Sequence, residues 1–345
     1  LHELEGITIK KSVNIKDVAQ YAGVSPSTVS RVISNDERIT DATKKKVLEA
    51  MDILGYYPNV IARSLANRKS NAIGLIMPAF SDILFINPFF PEALRGISMV
   101  ASNNSYDILM STNSKHSEEL EVIKNFIRGK RVDGIILMSS RVNDESIKFL
   151  RESKFPFVVV GSSLEYDDIN CVDNDNEKAA YDMTKHLIEV GCKDIALVAG
   201  NLDLVVTINR LSGYKKALLE NNINLNNDYI IAGEFLEESG YIAGKKLLSL
   251  DKIPDGIIVT DDLMALGVIK AIKERNLRIP KDIRVGSFNN SILAKFAVPT
   301  ITSIDVNAVK LGKSAVDILI NAIDKGEGFD SLIVDHNLVV RDSTT

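Results

Sequence analysis

Eight short apolar runs recur between residues 72 and 288, and they fall into two matching sets. The first set is Ala72–Met77, Tyr106–Ser111, Gly134–Met138 and Phe157–Val160. The second is Ile195–Ala199, Tyr229–Ala232, Gly256–Val259 and Arg284–Phe288. Their starts are separated by 34, 28 and 23 residues in the first set and by 34, 27 and 28 in the second. Runs of this length read as buried strands, and the amphipathic stretches between them, such as Glu177–Val190, Leu211–Asn222 and Leu263–Arg275, read as helices. Alternating strands and helices build parallel sheets covered on both faces. Two similar halves in tandem predict two lobes rather than one large sheet. Such lobes hold a ligand between them, at the carboxyl ends of the strands.

A different module precedes them. Ile15, Val18, Ala19 and Ala22 recur at helical spacing and make one apolar face. Gly23 can take the positive φ that ends a helix. Ser25 suits an N-cap, and Pro26 suits the first helical position, where a missing N–H costs nothing. Val29, Val32 and Ile33 then face inward, leaving Ser25, Pro26, Ser27, Thr28 and Arg31 at the outer face of the helix start. That is a helix-turn-helix, whose second helix reads base edges in the major groove with its N-terminal residues. A third helix follows, capped by Thr40, with Val47, Met51 and Leu54 inward and Lys44, Lys45 and Lys46 available to phosphates. Charge agrees with this division. Residues 1–69 carry 11 basic and 8 acidic side chains, net +3; the whole chain is −5, so the remainder carries −8. Small helices alone also describe an ordinary three-helix bundle; the turn chemistry and the basic face favour DNA.

The residues Asp17-Val18-Ala19, Ala22-Gly23-Val24-Ser25, Thr28-Val29-Ser30-Arg31-Val32, Gly55-Tyr56, Pro58-Asn59 and Ala62-Arg63-Ser64-Leu65 resemble the headpiece of the lactose-repressor (LacI) family of bacterial transcription regulators. The resemblance implies a DNA-binding headpiece over residues 13–58, a hinge helix over 59–70, and a two-lobed core of the periplasmic-binding-protein type I fold over 71–345. It implies a hinge ordered on operator DNA, with Asn59, Arg63 and Leu65 at the duplex. Leu65 would act as an apolar wedge that unstacks a base step; read alone, Leu65 is simply a linker residue. It also implies that the chain crosses three times between the lobes. The crossings are expected near Ser162, Pro299 and Glu327, giving one lobe of residues 71–161 and 300–326 and another of 162–299 and 327–345.

Loops after the strand ends supply the expected cleft residues: Phe89, Phe90, Asp175, Arg210, Phe235, Asp261 and Asn289. Carboxylates, amides and guanidinium take sugar hydroxyls in pairs, and aromatic faces cover ring C–H surface. Asp175 and Asp262 are equally suited to capping the helices that follow them, and Phe89 and Phe90 to a core. The resemblance implies effector contacts from Arg210 and from an Asp after the Arg284–Phe288 strand; this chain has Asn289 there. More narrowly, Asn87-Pro88-Phe89-Phe90-Pro91, Leu94-Arg95-Gly96-Ile97-Ser98, Val172-Asp173-Asn174-Asp175-Asn176 and Glu234-Phe235-Leu236-Glu237-Glu238 resemble the maltose-responsive repressors of Gram-positive bacteria.

The expectation is a homodimeric repressor on near-palindromic operator DNA, controlled by maltose or a malto-oligosaccharide. The alternative is a catabolite-control-type global regulator acting with a protein co-repressor. No enzyme motif stands. Gly312-Lys313-Ser314 resembles the end of a phosphate loop, but the first Gly of that motif would fall at Asn307. Four scattered histidines and two cysteines outside metal spacing predict no metal site or cofactor. No apolar run is long enough for a membrane span. The acidic start Leu1-His2-Glu3-Leu4-Glu5 differs from a signal peptide, and a cytoplasmic protein is expected.

Overall fold

The computed structural model describes residues 13–34, 36–57, 69–78, 85–111, 116–326 and 329–345. The chain divides into two compact units between Ser70 and Asn71.

The first unit contains α1 (Ile15–Ala22), α2 (Pro26–Ile33) and α3 (Asp41–Leu54). Asn14 caps α1 in a reciprocal box with Asp17. Gly23, at φ +66°, ends the helix and turns the chain. The Ser25 hydroxyl accepts the Thr28 N–H and starts α2 with Pro26 in its first turn. Thr40 caps α3. The three helices close over Val18, Ala19, Val29, Val32, Val47 and Ala50.

The second unit holds two six-stranded sheets. The first lobe comprises β1 (Ala72–Ile76), α4 (Phe89–Asn103), β2 (Asp107–Ser111), α5 (His116–Arg128), β3 (Gly134–Leu137), α6 (Glu145–Glu152), β4 (Phe157–Val160) and β5 (Cys171–Asp173). The chain then enters the second lobe with α7 (Asn176–Glu189), β6 (Ile195–Ala199), α8 (Val205–Glu220), β7 (Ile230–Ala232), α9 (Glu237–Leu247), β8 (Gly256–Val259), α10 (Asp262–Glu274), β9 (Arg284–Phe288), α11 (Ile292–Phe296) and β10 (Thr302–Asp305). It returns to the first lobe with α12 (Ala308–Lys325) and β11 (Ser331–Ile333), and ends in the second with β12 (Asn337–Val339). Sheet one runs β11-β5-β4-β3-β1-β2 and sheet two β12-β10-β9-β8-β6-β7. All neighbours are parallel except β12, which lies antiparallel to β10. The architecture is α/β, with a helical headpiece and two parallel-dominated lobes.

The three crossings fall later than the sequence suggested. The first follows Asp173 rather than Ser162, because Cys171–Asp173 still pairs with β4 in sheet one. The second follows Asp305 rather than Pro299, because Thr302–Ile304 pairs with β9 in sheet two. The third lies between Ile333 and Asn337; Glu327 is outside the described residues. The strands responsible are three or four residues long, and β10 carries the buried polar pair Thr302 and Ser303. An apolar-run reading passes over such segments.

Each lobe is stiffened by helices that meet at backbone distance. A methyl on Gly213 would lie 1.9 Å from the Glu177 carbonyl oxygen, across the α7–α8 seam. Gly96 and Gly312 make the same close approach between α4 and α12, and Gly240 and Gly267 between α9 and α10.

Candidate functional site

In the headpiece, Ser25, Pro26, Ser27 and Arg31 are exposed and Thr28 half-buried at the start of α2. The Ser25 hydroxyl is engaged locally, within 2.8 Å of Ser27 Oγ and 2.9 Å of Thr28 Oγ1. Ser25 is therefore held as a cap, while Ser27 and Arg31 present side chains outward. Lys45 and Lys46 are exposed on α3. Asn59, Arg63 and Leu65 lie outside the described residues.

In the core, a cleft of about 290 Å³ lies between the lobes. Its lining comes from the carboxyl ends of the strands: Ser139 and Ser140 after β3, Asp173 at the end of β5, Asn201 after β6, Glu234 and Phe235 after β7, Asp261 after β8 and Asn289 after β9. Of the seven residues expected there, Phe89, Phe90, Arg210, Phe235, Asp261 and Asn289 line it. Asp175 does not. It is exposed and caps α7, accepting the Lys178 N–H at 2.8 Å. Its neighbour two residues back, Asp173, supplies the lining carboxylate.

Arg210 is buried and held at two points. Its Nε donates to Asn176 Oδ1 at 2.9 Å and its Nη1 to the Thr260 carbonyl at 2.6 Å. Its guanidinium lies 4.3 Å from the Phe288 ring centroid, a cation–π contact. Among the described residues Nη2 has no protein partner, which leaves it for a ligand. Burial lowers its pKa to about 10, against the opposing charges of Asp261 and Asp173. It remains protonated at neutral pH.

Asp261 is 2% exposed. One oxygen accepts the N–H groups of Leu263 and Met264, capping α10. The other accepts Asn87 Nδ2 at 2.8 Å and Asn289 Nδ2 at 2.7 Å. A carboxylate offers about four acceptor positions, and here all are taken. Asp261 therefore orients two amides toward the cleft rather than offering a free oxygen of its own. Burial raises its pKa to about 6, with the adjacent Asp262 charge adding to the effect. Asp262 itself is turned away into the lobe, where it accepts the Ser287 and Ser303 hydroxyls and the Ser291 N–H. Burial likewise raises Asp173, which accepts from Asn174 N–H and Asn176 Nδ2.

The aromatic floor is specific. Phe89 and Phe90 pack edge to face at 5.3 Å, and Phe89 touches the cores of both lobes. Phe235 sits over Gly200, where a methyl would lie 2.2 Å from the ring. The glycine is what lets the ring reach the cleft.

The cleft is clasped at its mouth. Asn87 of the first lobe donates to Asp261 of the second. The Val142 N–H donates to the Asp203 carbonyl at 3.0 Å, and the Val205 N–H to the Ser140 carbonyl at 3.2 Å. These three bonds join the lobes directly across the cleft. The sequence motifs contain Asn87 and Asp173 to Asn176, but those motifs point only to Phe89, Phe90 and Asp175 as effector contacts, and nothing in the sequence points to Asn201. The signal available was the run Val172-Asp173-Asn174-Asp175-Asn176, where alternation places 173 and 175 on one face of an extended segment; the helix cap at 175 breaks that alternation.

Among the described residues no group of three His, Cys, Asp or Glu side chains could hold a metal ion. Cys171 and Cys192 are buried, and burial raises their thiols to about 12 and about 11. No described helix is long and apolar enough to cross a membrane.

Comparison with known proteins gives matches to both units. The model of bacterial regulatory proteins of the lacI family matches residues 14–59, and that of the periplasmic binding protein-like domain matches residues 184–344. The HTH-type transcriptional regulator MalR of Streptococcus pneumoniae is 44% identical over 313 residues, 90% of this chain and 93% of that protein. Catabolite control protein A of Priestia megaterium is 38% identical over 337 residues, covering 96% and 99%. The crystal structure of the Lac repressor dimer bound to operator and the anti-inducer ONPF superimposes with a TM-score of 0.86 at 27% identity, covering 97% of this chain and 99% of that one.

Proposed function

The chain belongs to the lacI family of bacterial regulatory proteins and is a DNA-binding transcriptional regulator, and from that premise we propose that it is a repressor controlled by maltose or a short malto-oligosaccharide. The observation that carries the reading is the chemistry of the cleft: a buried guanidinium with Nη2 open to a ligand, two amides oriented by Asp261, and three phenylalanine rings in the lining. Planar hydrogen-bonding groups beside apolar ring faces suit a sugar, whose hydroxyls lie around a C–H surface. The similarity to MalR and the loop motifs around Asn87, Asp173 and Glu234 support the maltose assignment.

One headpiece offers few contacts, so a homodimer docks two α2 helices on a near-palindromic operator. Ser27 and Arg31 then reach base edges, and residues 59–70 are the hinge that brings Asn59 and Arg63 to the duplex and Leu65 into the minor groove. Sugar in the cleft shifts the relation of the lobes and, through it, the hinge.

The test is a gel-shift series with the full chain, a palindromic operator and a panel of sugars, with no second protein present. Release by maltose or malto-oligosaccharides is the expected result. A complex left intact by these sugars refutes the assignment. The 38% identity to catabolite control protein A favours a second reading, a regulator that needs a protein co-repressor. Under that reading the purified chain shows tight operator binding only when such a protein is added.

A further inference from the structure

The three crossings are tied to one another by asparagine side chains. Asn174 stands in the first crossing, directly after β5, and is 5% exposed. Its Nδ2 donates one hydrogen to the Val306 carbonyl at 3.1 Å, in the second crossing. It donates the other to the Val334 carbonyl at 2.7 Å, in the third. Asn307, in the second crossing, donates its Nδ2 to the Asp335 carbonyl at 2.9 Å, in the third. Every pair of crossings is thus joined by one side-chain amide bond. Asn307 takes a left-handed φ of 52° and receives the Asp305 carboxylate on its own N–H, so its position is set by the local turn.

This triangle is connected to the cleft. Asn176 Nδ2 bonds the Asn174 carbonyl and Asp173 Oδ1, while its Oδ1 accepts Arg210 Nε. A continuous hydrogen-bonded path therefore leads from the ligand-facing guanidinium to the crossings between the lobes. The bonded carbonyls belong to segments that must shift relative to one another when the lobes rotate. A rotation that separates them from Asn174 leaves its buried amide unpaired, which costs the desolvation of that group, whereas the more exposed Asn307 amide can turn to water at smaller cost.

We infer that Asn174 and Asn307 are positioning residues that form a clasp between the lobes, with Asn176 relaying the engagement of Arg210 to it. The clasp holds the lobe angle at the crossings, far along the chain from the mouth contacts between Ser140–Val142 and Asp203–Val205. The link from lobe angle to operator release rests on the function proposed above; the clasp itself does not.

The test is hydrogen exchange on the ligand-free full chain, comparing wild type with Asn174→Ala. The clasp predicts faster exchange at the Val142 and Val205 amides, which span the mouth, by about thirtyfold for the loss of two bonds. A residue with only local structural importance would speed exchange at 306–311 and 334–336 and leave the mouth amides at wild-type protection. That pattern overturns the inference. Asn307→Gly is the second variant; it keeps the left-handed turn and removes only the bond to Asp335, and it decides the matter if Asn174→Ala does not fold. Its mouth amides should also exchange faster, and wild-type protection there equally overturns the clasp. A gel shift on the same variants separates the two readings. Opened mouth amides together with a sugar-insensitive wild-type complex would retain the clasp and refute the effector.

Discussion

Replacing Asp261 by Asn isolates one buried charge. In the folded core its carboxyl has a pKa of about 6, against an ordinary value of 3.8, because burial and the Asp262 charge disfavour the ionised form. The folded state therefore holds its proton more tightly than the unfolded chain. Stability from this group is fully present below about pH 4 and is lost as pH rises through 6. Two pKa units amount to about 3 kcal/mol. The substitution also has a cost. The amide nitrogen at 261 would face the Nδ2 groups of Asn87 and Asn289. Asn289 can turn over freely, since only its Nδ2 is bonded, but Asn87 would have to release the Phe89 N–H from its Oδ1. One such bond is worth about 1 kcal/mol. Asp261→Asn should thus be less stable than wild type near pH 4 and at least as stable near pH 7. Urea titrations followed by circular dichroism at steps between those limits measure this directly. Asp173 is common to both proteins and cancels in the difference, whereas the Asp261–Asp262 repulsion is removed by the substitution and is part of the effect measured. Stability curves that run parallel from pH 4 to 7 would show that Asp261 titrates normally, and the burial argument would fall.

Arg210→Lys keeps the charge but cannot reproduce the bonds to both Asn176 and Thr260; calorimetry should show sugar affinity lowered by roughly tenfold or more. Gly213→Ala drives a methyl against the Glu177 carbonyl and should cost about 3 kcal/mol, read as a lower urea midpoint. Leu65→Ala should weaken operator binding by roughly tenfold or more while sugar binding stays at the wild-type level, since a leucine side chain is worth about 1.5–3 kcal/mol when buried; equal operator affinity in a gel shift would remove Leu65 from the interface.

Eight strands were legible because each carries an apolar run between helical patterns, even where, as in β7, only three residues pair. The four missed strands are short, lie late in each lobe or at its edge, and owe their place to partners distant in sequence. Thr302 and Ser303 are buried only because Arg341, Thr344 and Asp262 receive them. No local pattern encodes such a pairing. The cleft divides similarly. Phe235, Asp261 and Asn289 follow from strand-end logic, since each sits where a strand delivers the chain to the crevice; Phe89 and Phe90 open α4 and Arg210 lies in the second turn of α8, so these three reach the cleft from helices rather than from the loops expected. Asp175 was displaced because a helix cap and a cleft carboxylate share one residue preference, and two residues of register decide between them. The amide triangle at the crossings was invisible, since it joins positions 132 and 160 residues apart.

The glycine-seated helix seams carry a consequence for engineering. Helices that touch through their backbones leave no deformable layer inside a lobe, so each lobe moves as one piece or not at all. Recognition draws partly on loop side chains at the strand ends, such as Asn201, Glu234, Phe235 and Asn289, and partly on the seam helices themselves, since Phe89 and Phe90 begin α4 and Arg210 lies on α8. A library aimed at a new sugar should randomise those loops and hold the glycines constant. Variation in the loops would change what the regulator answers to, whereas variation at the seam glycines would change only how much folded regulator a cell contains.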